Sequence, residues 1–155
     1  MTFVITPARP GDVPDIAELV AELERYYGGT QCELESMERR EAQVSEALFG
    51  TPPAAQVLLA RSENGVVGMA TYTFLWPAAG TTKSLFVKEL YVRDSERRQG
   101  AGRMLLDAIA DQAAAASCSR IEWMADHNNV EAQRFYARLG FRIFEGKVFY
   151  RVETS

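Results

Sequence analysis

A short basic stretch, residues 97–103, carries the residue types that bind phosphate groups. It reads RRQGAGR and comes soon after an apolar run at residues 90–92. Glycine lets a backbone approach a ligand closely because it has no Cβ. If a helix begins after the glycines, its first N–H groups have no partner within the helix and its dipole is positive there. Three arginines add positive charge, so the stretch predicts a site for a phosphate or a pyrophosphate.

Two common nucleotide-binding motifs do not fit this stretch. The dinucleotide fingerprint GxGxxG would need a glycine where Leu105 stands, and a P-loop would need Lys followed by Ser or Thr after the glycines. The pattern present is RxxGxG, formed by Arg97, Gly100 and Gly102. It resembles the acetyl-CoA pyrophosphate loop of the GNAT superfamily of N-acetyltransferases. An ordinary basic strand-to-helix turn has the same composition, so the order of the surrounding elements must decide.

The periodicity of the chain predicts the element order β-α-α-β-β-β-α-β-α-β-β. Apolar residues recur at helical spacing after Asp12, after Ser36, after the basic stretch and after Asn129, which are the predicted helix starts. Three strands in the middle form an antiparallel meander, and a helix separates the third of them from a strand that can lie parallel to it. The predicted strands are residues 3–6, 56–61, 66–75, 83–92, 121–124, 141–144 and 147–152.

A second segment strengthens the resemblance. Residues 129–141 read NVEAQRFYARLGF, which is similar to the second conserved region of the GNAT superfamily, NxxAxxFYxxLGF. Its distance from the basic stretch and the element order also agree with that superfamily. The resemblance implies one acetyltransferase domain over residues 1–155. Its fold is α/β (mixed α+β), with a mainly antiparallel twisted sheet of about seven strands flanked by four helices.

The resemblance also implies roles for individual residues. Backbone N–H groups of the strand before the loop would polarise the thioester carbonyl, at a bulge that parts two strands and admits the pantetheine arm. Tyr136 would donate a proton to the departing thiolate, although a helical aromatic beside Phe135 is also typical of a core. The implied cofactor-binding residues are Leu90, Tyr91, Val92, Arg97, Arg98, Gln99, Gly100, Ala101, Gly102, Arg103, Asn129, Ala132 and Tyr136.

The group that deprotonates the amine is less clear from the sequence. His127 has the most suitable unperturbed pKa, but it falls in a predicted exposed loop. Asp126 and Glu122 lie nearby in the sequence. Glu89 is adjacent to the carbonyl-polarising segment, although strand alternation can direct it toward a helix. We expect deprotonation through water, with Glu89 as the first candidate for the base.

Three stretches, FVITPARPGDVPDIAELVAELERYY at the start, SLFVKELYV before the basic stretch and NVEAQRFYARLG after it, are similar to the spermidine/spermine and thialysine acetyltransferase branch. The acceptor is predicted from this closer resemblance. Polyamine enzymes of that branch carry acidic residues at the positions of Tyr27 and Lys88. Tyr26, Tyr27 and Lys88 are therefore the acceptor-binding candidates. We expect the acceptor to be the primary amine of a small molecule, either an amino acid or a diamine-like compound. Because Lys88 repels polycations, an amine that also carries a carboxylate is favoured, unless Glu33 and Glu35 restore a cation site. Acetylation of a protein N-terminus or lysine, and a non-catalytic acetyl-CoA-binding module, are the alternatives.

Composition limits the remaining classes of function. A net charge of −4 and a pI near 5.1 argue against a general nucleic-acid binder. No apolar run approaches the roughly 20 residues of a membrane span, and no signal peptide is recognisable. Cys32 and Cys118 are isolated, and with a single histidine no metal site is expected, so we predict reduced thiols in a cytoplasmic protein.

Aromatic residues near the C-terminus, Phe144, Phe149 and Tyr150, favour a homodimer.

Overall fold

The computed structural model describes residues 2–29 and 35–154. Within them, five strands and four helices follow one another in the predicted order, joined in part by short 3-10 turns at Pro10–Asp12 and Asp94–Glu96. The elements are β1 (Val4–Pro7), α1 (Val13–Tyr26), α2 (Met37–Phe49), β2 (Gln56–Ser62), β3 (Gly65–Leu75), β4 (Ser84–Val92), α3 (Ala101–Ala115), β5 (Arg120–Trp123) and α4 (Val130–Arg138).

The ends of the helices show why they begin and stop where they do. Ser36 Oγ accepts the N–H of Arg39 at 3.1 Å, which caps α2 as predicted. Asp12 does not cap α1: its carboxylate accepts the N–H of Arg9 and pairs with Arg61 of β2, both at 2.8 Å. The Arg61 guanidinium holds the pKa of Asp12 below its usual value, which is the reverse of what burial alone would do.

The five strands form one sheet in the order β1-β2-β3-β4-β5. The first four are antiparallel to their neighbours, and β5 is parallel to β4, as the intervening helix requires. One face packs on α3 through Leu105 and Ile109, and the other packs on α1 and α2 through Leu19 and Val44. Side chains of β2 alternate between the two faces, with Leu58 on the first and Leu59 on the second. The sheet therefore lies between two helical layers.

The chain divides into two compact units, one ending at Trp123 and the other beginning at Met124. The second unit contains α4, which ends in a Schellman motif. The N–H of Gly140 bonds to the carbonyl of Ala137 and the N–H of Phe141 to that of Tyr136, both at 3.0 Å, and Gly140 has φ +91°. The glycine stop predicted from the sequence is confirmed.

The prediction of two strands near the C-terminus is wrong for this structure. Residues 141–144 and 147–152 contain no strand, so the sheet has five strands rather than about seven. Their apolar side chains are exposed, as Ile143 and Val152 illustrate. Alternating hydrophobicity makes a segment able to pair, but an isolated hairpin is marginal without a third strand or a packed face. No helix of the described residues is long and apolar enough to cross a membrane.

Candidate active site

The strand β4 contains a bulge at Lys88. Val87 pairs with Tyr72 of β3 and Glu89 pairs with the preceding Thr71, so Lys88 is one extra residue on β4. An extra residue reverses the alternation of the side chains that follow it. Accordingly, Leu85 and Val87 before the bulge and Leu90 and Val92 after it pack on the α3 side, whereas Tyr91 packs on the α1 side. The bulge was expected within residues 90–92 and lies two residues before them.

The same bulge marks the point where β4 loses one neighbour. β5 pairs with β4 only from Ser84 to Val87, opposite Arg120 to Trp123. From Lys88 to Val92, within the described part of the chain, β4 is paired on its β3 side alone. Thr71 Oγ1 accepts the N–H of Glu89 at 3.0 Å, so the donor next to the bulge is satisfied. The segment 88–92 is therefore the part of β4 along which β5 no longer pairs with it.

The basic loop after β4 has the backbone conformation of an anion-binding turn. Arg98 has φ +64° and Gly100 has φ +94°, both in the left-handed region. Gly100 is the N-cap of α3, so the N–H groups of the helix's first turn point out of it beside these residues. Arg97 before them is extended, with φ −72° and ψ 161°. Tight turns of this kind can bring backbone N–H groups together as an anion-binding concavity. A Cβ built on Gly100 meets no atom within 4 Å, so the space in front of the loop is open.

The three arginines of the loop have different surroundings. Arg98 and Arg103 are exposed, and Arg103 pairs with Asp107 one helical turn later at 3.8 Å. Arg97 is directed back into the protein: its Nε donates to the carbonyl of Val92 at 2.8 Å, and it pairs with Asp94 at 3.3 Å. The exposed positive charges of this loop are therefore Arg98 and Arg103, while Arg97 is bonded to the residues before the loop.

Charged residues that the sequence analysis did not single out connect this loop to its surroundings. Glu96 is buried, and its Oε1 accepts from the Asn64 amide at 3.2 Å, which links the loop to the β2–β3 turn. Arg93 pairs with Glu22 at 3.1 Å and with Glu18 at 3.5 Å, both on α1. The sequence signal was the spacing of Glu18 and Glu22, which places two carboxylates on one side of α1.

Tyr91 lies under the loop and is also bonded to α1. Its hydroxyl donates to Glu22 Oε1 at 3.1 Å. Burial raises the pKa of Tyr91 above its ordinary value, and the Glu22 carboxylate raises that pKa further, while Arg97 and Arg93 act in the opposite direction. The phenol therefore stays protonated at neutral pH and remains a donor to Glu22. Its side chain belongs to the core, so the role predicted for residue 91 concerns its backbone.

The acceptor candidates of the first unit lie around the end of α1 and the bulge. Tyr26 and Tyr27 pack edge to face, with ring centres 5.4 Å apart. The Lys88 ammonium is exposed and 3.8 Å from the carboxylate of Glu89. Because Glu89 pairs with Thr71 on the α1 side of the sheet, it faces the helical layer of α1 and α2, as strand alternation allowed. Lys88 and Glu89 thus form an ion pair in the part of β4 that lies beyond its pairing with β5.

A buried arginine beside this region also escaped the sequence analysis. Arg40 of α2 is only 4% exposed, and it pairs with Glu24 of α1 at 3.4 Å and with Glu35 at 3.5 Å. Glu35, which was considered as a cation site for the acceptor, is therefore already neutralised by Arg40. Glu33 and Cys32 lie outside the described residues. The helical pattern of α2 does not predict that Arg40 is buried. Buried arginines are rare, and they are identified by the acidic partners that a structure shows.

The second unit holds the remaining predicted residues on α4. Asn129 caps the helix, since its Oδ1 accepts the N–H of Ala132 at 3.1 Å. Ala132 and Tyr136 follow Asn129 at spacings of three and seven and lie on the same side of α4. Tyr136 is half-buried, with its ring 5.3 Å from that of Phe135 in an edge-on arrangement. His127, before the helix, is exposed. Among the described residues, no group of three metal-ligating side chains occurs.

Comparisons with known proteins agree with this arrangement. A sequence profile described as the acetyltransferase (GNAT) family matches residues 16–141. The thialysine N-epsilon-acetyltransferase of Sus scrofa is 26% identical over 145 residues, which cover 91% of this chain and 85% of that enzyme. The L-ornithine N5-acetyltransferase NATA1 of Arabidopsis thaliana is 30% identical over 80 residues, which cover 52% of this chain and 35% of that enzyme.

A solved structure extends the similarity to the whole chain. The integron cassette protein VCH_CASS6, from the mobile metagenome of V. cholerae, superposes with a TM-score of 0.89 at 30% identity over 99% of this chain and 94% of its own. The family match covers both β4 with its basic loop and the helix that carries Tyr136. The chain therefore belongs to the acetyltransferase (GNAT) family and is an N-acetyltransferase.

Proposed function

We propose that this protein transfers the acetyl group of acetyl-CoA directly to the primary amine of a small molecule that also carries a carboxylate. The GNAT family uses acetyl-CoA as co-substrate. The observation that carries the proposal is that β4 is no longer paired with β5 at residues 88–92 and then leads through the basic loop to the N-terminus of α3. A strand edge followed by an anion site matches a ligand with an extended arm and a pyrophosphate.

We propose that residues 1–155 form one acetyltransferase domain, although the chain divides into two compact units. The family match at residues 16–141 supports this, because it crosses the boundary between Trp123 and Met124. Most of the proposed cofactor contacts belong to the first unit, and Asn129, Ala132 and Tyr136 belong to the second. A cytoplasmic location is part of the same proposal.

In the proposed reaction, the amine nitrogen attacks the thioester carbonyl, a C–N bond forms and the C–S bond breaks. Backbone N–H groups of residues 90–92 stabilise the developing oxyanion. The amine loses its proton through water, with Glu89 as the candidate base, since its side chain is 26% exposed and reachable by solvent. Tyr136 gives its phenolic proton to the thiolate and is then reprotonated from solvent.

The cofactor assignment predicts that Gly102→Val weakens acetyl-CoA binding about tenfold or more. A branched side chain in the first turn of α3 obstructs the N–H groups, and a hydrogen bond to a charged group contributes about 1.5–3 kcal/mol. Gly102 is preferable to Gly100, whose φ of +94° makes any side chain strained in itself. Calorimetric titration with acetyl-CoA measures the effect.

The matched control for this test is Ala110→Val, which places the same side chain at an exposed position of the same helix. It is expected to bind acetyl-CoA like the wild type. Circular dichroism melting checks that both variants are folded. Unchanged affinity in folded Gly102→Val would remove the loop from the cofactor site.

The proposed acid predicts that Tyr136→Phe keeps acetyl-CoA affinity but lowers kcat by about 10²–10⁴-fold, the usual contribution of general acid catalysis. The substitution removes only the hydroxyl, so the edge-on contact with Phe135 is retained. Stopped-flow detection of the free CoA thiol gives the rate. Tyr150→Phe, which removes the same hydroxyl from an exposed position, is the control. A kcat near that of the wild type would make Tyr136 a packing residue.

The acceptor class follows from Lys88 and from the relatives. Their names specify ornithine and thialysine, amino acids that combine a side-chain amine with a carboxylate. The Lys88 ammonium is 61% exposed and can pair with such a carboxylate, whereas it repels spermidine and spermine. Protein or peptide acetylation is the competing acceptor class and is tested in the same assay.

We therefore predict that an amine panel ranks ornithine, lysine or thialysine above spermidine, spermine and a lysine-containing peptide in kcat/KM. Lys88→Glu is expected to raise kcat/KM for spermidine relative to kcat/KM for ornithine, because it replaces the repelling cation with an attracting carboxylate. Lys83→Glu is the control, because it makes the same charge change at the residue that immediately precedes β4. It should leave this ratio of kcat/KM values unchanged. Spermidine as the best acceptor of the wild type would contradict the role given to Lys88.

We also propose that the protein is a homodimer that uses its C-terminal segment. The aromatic side chains of Phe144, Phe149 and Tyr150 are 72%, 61% and 85% exposed. Contiguous exposed apolar surface is typical of an interaction site, and a second copy of the chain is the proposed occupant. Light scattering should give twice the chain mass of 17.3 kDa, and Phe149→Ser with Tyr150→Ser should reduce it. A wild-type monomer at micromolar concentration would refute the dimer.

A further inference from the structure

Arg97 makes contacts that a phosphate ligand would not need. Besides its bonds to Val92 and Asp94, its guanidinium carbon lies 5.2 Å from the centre of the Tyr26 ring and 5.6 Å from that of Tyr91. Only 24% of its side chain is exposed. A guanidinium over an aromatic face is attracted by the ring, more strongly as water is excluded. Arg97 is thus held by one ring from α1 and one ring from β4.

The Tyr26 contact is one of a series between α1 and the end of β4. Glu18, Glu22 and Tyr26 follow one another at intervals of four and therefore line one side of α1. Glu18 and Glu22 pair with Arg93, Glu22 also accepts from Tyr91, and the Tyr26 ring contacts Arg97. The end of α1 is consequently in contact with the first residue of the RxxGxG loop.

We propose that Arg97 is a positioning residue that couples Tyr26, at the end of α1, to the affinity of the loop for acetyl-CoA. This inference rests on the proposed function, since it requires the loop to be the cofactor site. Arg97 immediately precedes the left-handed Arg98, whose conformation needs support from neighbouring contacts. Removing the Tyr26 ring leaves the guanidinium with one ring instead of two, so the loop loses a restraint and the N–H groups converge less well.

The inference predicts that Tyr26→Leu weakens acetyl-CoA binding about fivefold, the loss expected for one partly exposed cation–π contact. Tyr26→Phe keeps the ring and should bind like the wild type, because the hydroxyl takes no part in the contact. Phe74→Leu is the matched control, because it also removes a ring that contacts a cation. Its partner is Lys83, 5.4 Å away, which precedes β4 and therefore lies at the end of that strand opposite the loop. Calorimetry gives Kd for each variant, and melting curves give Tm.

A second background separates action through Arg97 from direct contact between Tyr26 and the cofactor. In Arg97→Met, which keeps the stem and removes the guanidinium, Tyr26→Leu should change Kd by less than about twofold. An equal effect of Tyr26→Leu in both backgrounds would overturn the inference, as would an unchanged Kd with only a lower Tm. If wild-type protein binds acetyl-CoA and Tyr26→Leu binds it equally, this inference alone fails. If the wild type does not bind, the proposed function fails with it.

Discussion

One extra residue in β4 is the constraint on which the rest of the site depends. Without Lys88, the pairing that joins Val87 to Tyr72 and Glu89 to Thr71 would continue in regular alternation. Tyr91 would then face α3 instead of Glu22 on α1, and Leu90 and Val92 would leave the core beside Leu105. The pairing of β5 with β4 also ends beside this residue, at Val87, so the bulge coincides with the point where β4 and β5 separate. One extra residue thus determines which face of the sheet each following side chain of β4 occupies, and it lies where β4 and β5 separate.

The order of the elements as far as α4 was predictable because several helix ends have a local cause. Ser36 and Asn129 cap helices, and Gly140 adopts a left-handed conformation, all as their residue types favour. The place of the bulge was not predictable to the residue. β4 reads SLFVKELYV, and since both of its faces are buried by helices, its apolar residues do not alternate clearly enough to reveal an interruption.

Two errors in the sequence analysis arise because a local pattern carries no information about partners that are distant in the sequence. Asp12 is well placed to cap α1, but its carboxylate instead accepts a charge-assisted hydrogen bond at 2.8 Å from Arg61, which is 49 residues away in the sequence. Residues 141–152 have the alternation of a hairpin, but strand formation also needs a neighbouring strand or a face to cover. Local patterns show what a segment is able to form, and long-range partners decide which of the possibilities is realised.

The arginines of the first unit show why charge alone is a poor guide to a phosphate site. Arg40, Arg93 and Arg97 each contact α1, through Glu24, Glu22 and Tyr26 respectively. Arg97 donates from Nε to Val92 and from a terminal nitrogen to Asp94, and its guanidinium carbon lies 5.2 Å and 5.6 Å from the centres of two rings. A lysine would supply the same charge, but it has neither the fixed fork of donors nor the flat face. The arginine that begins the RxxGxG motif is therefore required by the contacts that shape the loop, and the exposed Arg98 and Arg103 remain to provide its positive potential.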